Sequence, residues 1–442
     1  MHCLSYNESV VITHGGIKMS GFDKVIGYKS IKTELERIAD IIKNPEKYDK
    51  FGVTFPRGIV LIGDPGVGKT LICNAFMEEC GINNYTCRKT ESGGEFVKTI
   101  KNTFDEAVKN QPSIILLDDM DKFANGDEDH KDCEEYVTVQ ACIDNVKGQK
   151  VFVLATVNDI DKVPRSLVRA GRFDKRIDVE NPTGQDAVDI VNYYLSQKKN
   201  LKDIDPVRVA RMLNGNSCAE LELVINDAGV YAGSQGKEYI DMSDITKACL
   251  RVLYDAPETI QEDAGEAEEK VAWHEIGHAV ISELLEPNSV TLIAVEGYEG
   301  NNQGFTSFYM NDNYWKSYRL MENRVMSLLG GRAATELKLG EIDVGCSRDL
   351  QRATDILNRL VGEYGSMGFD KIVRVHWRDS ENHLSKVENT VGEELTRRYT
   401  KVKQMLVENM EFVNKLGAEL IEKRLLTCDD VQRIKSTCNI KL

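Results

Sequence analysis

Two short stretches carry residue types whose spacing can do chemistry. The first is GDPGVGKT (63–70), which fits GxxxxGK[ST]. Its glycines let backbone N–H groups turn toward a phosphate, and a helix starting behind it adds the positive end of its dipole. Lys69 is placed to reach the β- and γ-phosphates of a nucleotide and Thr70 to ligate Mg²⁺. Asp64, Pro65, Gly66, Val67 and Gly68 form the cradle. The second stretch is HEIGH (274–278), an HExxH pattern. On a helix, His274 and His278 fall one turn apart on the same face, so two imidazole nitrogens can meet one Zn²⁺. Glu275 then lies beside a metal-activated water as general base.

Each site needs more than its motif. An ATP site needs a carboxylate for the magnesium shell at the end of a neighbouring strand, and IILLDD (114–119) offers Asp118. The next residue normally activates the attacking water. Here it is Asp119, one methylene shorter than the Glu found in many such ATPases. A third strand ends in ATVND, where Asn158 can hold that water; Val157 competes for the position by register. Arg169 and Arg172, three residues apart in RAGRFD, suit a finger that reaches a neighbour's nucleotide. A catalytic zinc needs a third protein ligand and an open position. About 70 residues beyond the histidines, GEIDVGCSRDLQRATDIL offers Asp343, Cys346 and Asp349.

The elements that must position these residues follow from the apolar pattern. Short, near-continuous apolar runs at 58–63, 114–118, 151–156 and 176–180 alternate with amphipathic stretches. Parallel strands buried on both faces read this way, which predicts an α/β, doubly wound parallel sheet. Residues 184–254 turn helical and predict a small helical subdomain. The acidic stretch from 255 to about 265 predicts a linker. The remainder, 266–442, predicts a mostly helical domain with a β patch at 289–309 and long helices at about 391–409 and 411–424. Residues 1–20 predict an N-terminal arm.

Composition narrows the field. The chain has 442 residues, of which 41% are hydrophobic and 29% charged, so it can bury a core without disulfide staples. Asp and Glu number 71 against 56 Lys and Arg, a net charge of −15 that repels phosphate backbones and argues against nucleic acid as a partner. The 11 cysteines include no CxxC pair and predict reduced thiols in a cytoplasmic setting. No run approaches the roughly 18 apolar residues of a membrane span, which predicts a soluble chain.

GDPGVGKT, IILLDD, ATVND and RAGRFD, in this order and spacing, resemble an AAA+ ATPase module. The resemblance makes 21–183 its large subdomain and 184–254 its lid, and it places Ile26 and Gly27 beside the adenine. HEIGHAV, GGRAATEL (330–337) and SRDLQRATDIL together resemble the peptidase domain of the FtsH family of ATP-dependent zinc metalloproteases. That resemblance extends over about residues 21–435. It implies Asp349 as the third zinc ligand and a homo-hexameric ring in which each arginine finger serves the adjacent subunit. It also implies protein substrates that are unfolded and cut in a closed chamber. The alternative is a remodelling ATPase with weak or nucleotide-gated peptidase activity. Two departures from the family pattern stand out. The family usually carries transmembrane helices before the ATPase, which would put such a chain on the cytoplasmic face of a membrane. The family's pore loop bears an aromatic followed by Val-Gly, whereas Ser92 occupies the aromatic position here and Phe96 lies four residues on.

Overall fold

The structure is a computed structural model and describes residues 20–53, 55–90, 94–124, 133–169, 171–173, 175–254, 265–295, 304–309, 317–342, 344–372 and 381–441. The expected arm before residue 20, residues 255–264 of the expected linker and Ser92 lie outside this set; Gly265, the last residue of that linker, opens a helix instead. By internal contacts the chain divides into two compact units. One is Met1–Pro182 with Ser217–Ala219; the other is Thr183–Asn216 with Glu220–Leu442.

The first unit is built on a five-stranded parallel sheet of order β2-β3-β4-β1-β5. Its strands are β1 (Gly58–Ile62), β2 (Asn83–Arg88), β3 (Ser113–Asp118), β4 (Val151–Val157) and β5 (Lys175–Asp178). Helices α1 (Lys29–Lys43), α2 (Pro45–Asp49), α3 (Lys69–Cys80), α4 (Gly94–Lys109) and α5 (Cys133–Asn145) belong to the same unit. β3 and β4 are buried throughout and β1 over all but its last residue, which is why they read as apolar runs. β2 had no such signal. It is an edge strand, NNYTCR, with only Cys87 buried. The register sets Ile62 beside Val157 and Leu117 beside Ala155. The loop after β1, the end of β3 and the end of β4 therefore open side by side, the usual place for a ligand in such a sheet. Phe96, the aromatic nearest the expected pore position, is fully buried on α4 with its ring edge-on to Phe123 at 5.1 Å. Packing in the core removes it from any gripping role.

The second unit begins with four helices, α6 (Gly184–Ser196), α7 (Pro206–Met212), α8 (Cys218–Ser234, its first two residues clustering with the first unit) and α9 (Met242–Tyr254). Asp205 caps α7 by accepting from Val207 N at 2.9 Å, with Pro206 in the first turn. Then come α10 (Gly265–Leu285), α11 (Tyr318–Leu339), α12 (Ser347–Asn358), α13 (Glu381–Glu408), α14 (Met410–Lys423) and α15 (Cys428–Ser436). The helix expected from residue 391 starts ten residues earlier. A three-stranded antiparallel sheet of order β7-β6-β8 joins β6 (Val290–Ala294), β7 (Phe305–Phe308) and β8 (Leu425–Thr427). β6 is fully buried in the middle, and β7 is an edge strand.

α10 is apolar on nearly every face because it is the central element. Ala272, Ile276, Ala279, Val280 and Ile281 are all buried without exposed area. Its approach to α11 is unusually close. A Cβ on Gly277 would lie 2.1 Å from the Gly330 carbonyl oxygen, and one on Gly330 would lie 2.3 Å from that of Gly277. Only glycine at both positions permits this crossing. No helix among the described residues is long and apolar enough to cross a membrane.

Candidate metal centre and nucleotide site

In the second unit, α10 supplies His274 and His278 from adjacent turns, and α12 supplies Asp349 from its first turn. His274 Nε2 and His278 Nε2 are 2.9 Å apart, and each lies 3.2 Å from Asp349 Oδ2. Three zinc ligands at ~2.0–2.1 Å in tetrahedral array are separated by about 3.3 Å, so this triangle is close to the size an ion needs. His278 Nδ1 donates to the Ser327 carbonyl at 2.7 Å, which turns the Nε2 lone pair toward the other two donors. The centre favours positive charge. Burial opposes the Asp349 carboxylate, yet its hydrogen bonds to both imidazoles hold it below the usual carboxylate range. Burial also opposes an imidazolium at His278, and Asp349 outweighs it, so the His278 pKa is raised.

Space for the ion is kept by Gly331. A Cβ there would stand 2.7 Å from the Nε2 atoms of both histidines. The residues present fit a zinc ion: three converging donors, an oriented imidazole and a cradle that one added carbon would fill. Among the described residues no other group of His, Cys, Asp or Glu converges in this way. Of the rival ligands, Cys346 is buried outside the triangle and Asp343 lies outside the described residues.

Glu275 is 6% exposed and faces a cavity of about 410 Å³ that the three donors also line. Its Oε2 accepts from the Thr306 hydroxyl at 2.6 Å. Thr306 sits on β7, and Gly304 just before it lets that strand approach the helix: a Cβ at Gly304 would be 2.4 Å from Val271 Cγ1 and 3.2 Å from Glu275 Cγ. Sequence reading missed Thr306. Its only trace was the β patch around it.

The nucleotide site of the first unit gathers the expected residues at three strand ends. Lys69, buried at the start of α3, donates to the carbonyls of Gly63 (2.7 Å) and Asp64 (2.8 Å) and to Asn158 Oδ1 (2.9 Å). Burial pushes its pKa down, against the pull of the nearby carboxylates of Asp119 and Asp121. Thr70 donates to Asp118 Oδ1 at 2.9 Å, and Thr156 donates to the same oxygen at 2.8 Å. Asp64, Pro65 and Gly66 are exposed, Val67 is buried, and Gly66 and Gly68 take positive φ. Asn158, not the fully buried Val157, faces the site. Its Nδ2 donates to Asp119 Oδ1 at 3.2 Å, so it bridges Lys69 and Asp119.

Asp119 has φ 54° and accepts from Lys122 at 2.7 Å; burial opposes its charge, but Lys122 and Asn158 bring the pKa down. Arg88, at the end of β2, reaches both acids, 3.7 Å from Asp118 and 3.5 Å from Asp119. Neither cation was legible in the sequence. Ile26 and Gly27 lead into Tyr28, whose hydroxyl lies 3.2 Å from the Val67 carbonyl and 3.0 Å from that of Glu180.

The two arginines separate. Arg169 is exposed and makes no ion pair or hydrogen bond through its side chain with a described residue. Arg172 is 4% exposed, pairs through Nε and Nη2 with both oxygens of Asp144 (3.0 and 2.6 Å), and donates to the Ser166 carbonyl. The structure therefore does not present Arg172 as a finger. A bidentate partner on α5, invisible to local spacing, holds it against its own fold.

Two family models match the chain. The ATPase family associated with various cellular activities (AAA) matches residues 59–181, and peptidase family M41 matches residues 264–434. The class is thus an AAA ATPase joined to an M41 peptidase. An ATP-dependent zinc metalloprotease FtsH 2 of Symbiobacterium thermophilum is 31% identical over 94% of this chain and 74% of its own length. Its counterpart FtsH 1 of a Thermoanaerobacter species is 30% identical over 93% and 72%. An FtsH of Caldicellulosiruptor bescii is 29% identical over 93% and 71%. The chain belongs to the FtsH family of ATP-dependent zinc metalloproteases. The remodelling-ATPase alternative is not favoured.

Proposed function

We propose that the chain is an ATP-driven endopeptidase that pulls polypeptides from folded proteins and cuts them at the His274–His278–Asp349 centre. The observation that carries this reading is the donor triangle, with Glu275 beside it, in the same chain as the Lys69–Thr70–Asp118 cluster.

A bound Zn²⁺, held by His274, His278 and Asp349, supplies Lewis acidity to a substrate carbonyl and to a water. Glu275 takes the proton from the attacking water and delivers it to the leaving amine. Thr306 fixes the orientation of that carboxylate. β7, the outer strand of its sheet, is the element along which an extended substrate is laid, its backbone held by main-chain hydrogen bonds. At the other centre Lys69 and the 63–68 loop hold ATP phosphates, Thr70 and Asp118 hold Mg²⁺, and Ile26 and Gly27 border the base. Asp119 and Asn158 orient the hydrolytic water. Arg169 reaches the nucleotide of the next subunit in a homo-hexameric ring, and Arg172 positions the loop that carries it. Unfolding a domain costs about 5–15 kcal/mol, which repeated ATP turnovers supply. The organisation that goes with this reading is a large ATPase subdomain over 21–183, a lid over 184–254, a linker over 255–265 and a peptidase over 266–442.

The test compares Glu275→Gln with Lys69→Ala on one folded and one unfolded protein substrate. Glu275→Gln is expected to lower cleavage of both at least about 10²-fold while ATP turnover continues. Lys69→Ala is expected to abolish nucleotide binding and degradation of the folded substrate. Degradation of the folded substrate by Lys69→Ala would refute the coupling.

A further inference from the structure

The peptidase cavity is basic in a chain whose net charge is −15. Lys270, Arg324, Arg348 and Arg352 line it, against two carboxylates, Glu275 and Asp349. A divalent ion held with Asp349 would widen that surplus of positive charge. The four cations come from three helices. Lys270 leaves α10 and pairs loosely with exposed Glu341 at 3.6 Å. Arg324 leaves α11 with its guanidinium 5.2 Å from the Phe308 ring of β7. Arg348 and Arg352 lie four residues apart on α12, on one face, and both are exposed.

Neither Arg348 nor Arg352 makes an ion pair or hydrogen bond with a described residue. Arg348 is also placed at a cost. It is the second residue of α12, where the positive end of the helix dipole disfavours a cation, and the acid next to it, Asp349, is turned into the metal triangle. A guanidinium with no partner among the described residues adds no ion pair or hydrogen bond to its own fold at that position. Together with Arg352 and the dipole it makes a strongly anion-attracting wall beside the place where a peptide bond would be cut.

We propose that this wall is an anion-accepting subsite and that the enzyme prefers polypeptide segments carrying Asp or Glu within two residues of the scissile bond. The proposal rests on the reading of the cavity as a peptidase site. An acidic side chain on a strand laid along β7 would meet Arg348 and Arg352, and guanidinium–carboxylate pairing there would hold the segment while Glu275 acts.

The experiment uses the zinc-loaded chain and ten-residue fluorogenic peptides identical except for Glu, Gln or Lys at the second residue from the cleaved bond. The Glu peptide is expected to exceed the Gln peptide about tenfold in kcat/KM, with Lys lowest, and the ratio to shrink as salt rises. In Arg348→Gln/Arg352→Gln the Glu-to-Gln ratio falls to about one. Arg352→Gln alone, three residues from Asp349, lowers the ratio about threefold at full zinc content, and it decides the matter should Arg348→Gln disturb the metal. A second readout needs no turnover: zinc-loaded Glu275→Gln should bind the Glu peptide about tenfold more tightly than the Gln peptide by fluorescence anisotropy, and the arginine substitutions should remove that difference. Equal cleavage and equal binding of the Glu and Gln peptides, or a preference that survives the arginine substitutions, overturns the subsite and leaves the protease standing. Arginine-dependent binding of the Glu peptide without cleavage of any peptide keeps the subsite and overturns the protease reading.

Discussion

The two candidate centres are built in opposite ways. The metal centre hangs on helices: α10 gives both histidines, α11 meets α10 main chain to main chain and keeps Gly331 beside them, and α12 gives Asp349. The nucleotide centre hangs on strand ends and loops, with Asp64, Pro65, Gly66 and Thr70 exposed and Arg169 turned to solvent. Hydrolysis of a peptide bond needs a fixed geometry, and a tenth of a nanometre of looseness can cost about 10²-fold in rate. A motor needs a site whose parts move between nucleotide states and between neighbours. The contrast teaches that the scaffold differs with the chemistry: packed helices carry the metal donors, and strand ends and a loop carry the nucleotide residues.

The sharpest way to break this comparison is to exchange the fates of the two arginines. Arg169→Ala is expected to lower ATP turnover about 10³-fold with the melting temperature retained. Arg172→Ala is expected to lower the melting temperature first, because it strips Asp144 and the Ser166 carbonyl of their buried partner. Calorimetry beside an ATPase assay checks both, and loss of turnover without loss of stability in Arg172→Ala would return it to the role of a finger. Next, Gly331→Ala is expected to cut zinc content and peptide cleavage about 10²-fold, since its methyl occupies the space between the two imidazoles. Metal analysis of the purified variant decides it, and a full complement of zinc would show that the cradle can yield. The smallest effect is expected at Thr306→Val, about tenfold in kcat with little change in KM, as Glu275 loses its 2.6 Å hydrogen bond. Recovery in Thr306→Ser would tie that loss to the hydroxyl rather than to the strand.

What the sequence made legible was whatever lies within one element or one turn. GDPGVGKT and HEIGH could be read because their residues are neighbours on a loop or a helix face, and the central strands because burial on both faces leaves an apolar run. Asp349 lies 71 residues beyond His278, so only family resemblance selected it over Asp343 and Cys346. Thr306, Arg88 and Asp144 take part through the fold alone, from a strand edge, a polar edge strand and a separate helix. Burial of Phe96 and of Arg172 was equally hidden, because an aromatic or a cation reads the same in sequence whether it faces a neighbour or its own core.

The contact of Gly277 with Gly330 has a mechanical consequence. Where two helices meet main chain to main chain there is no side-chain cushion to slide or compress, and interiors packed in this way transmit displacement instead of absorbing it. A displacement applied to either helix must carry the other with it, so the histidines of α10 and Gly331 of α11 keep their spacing.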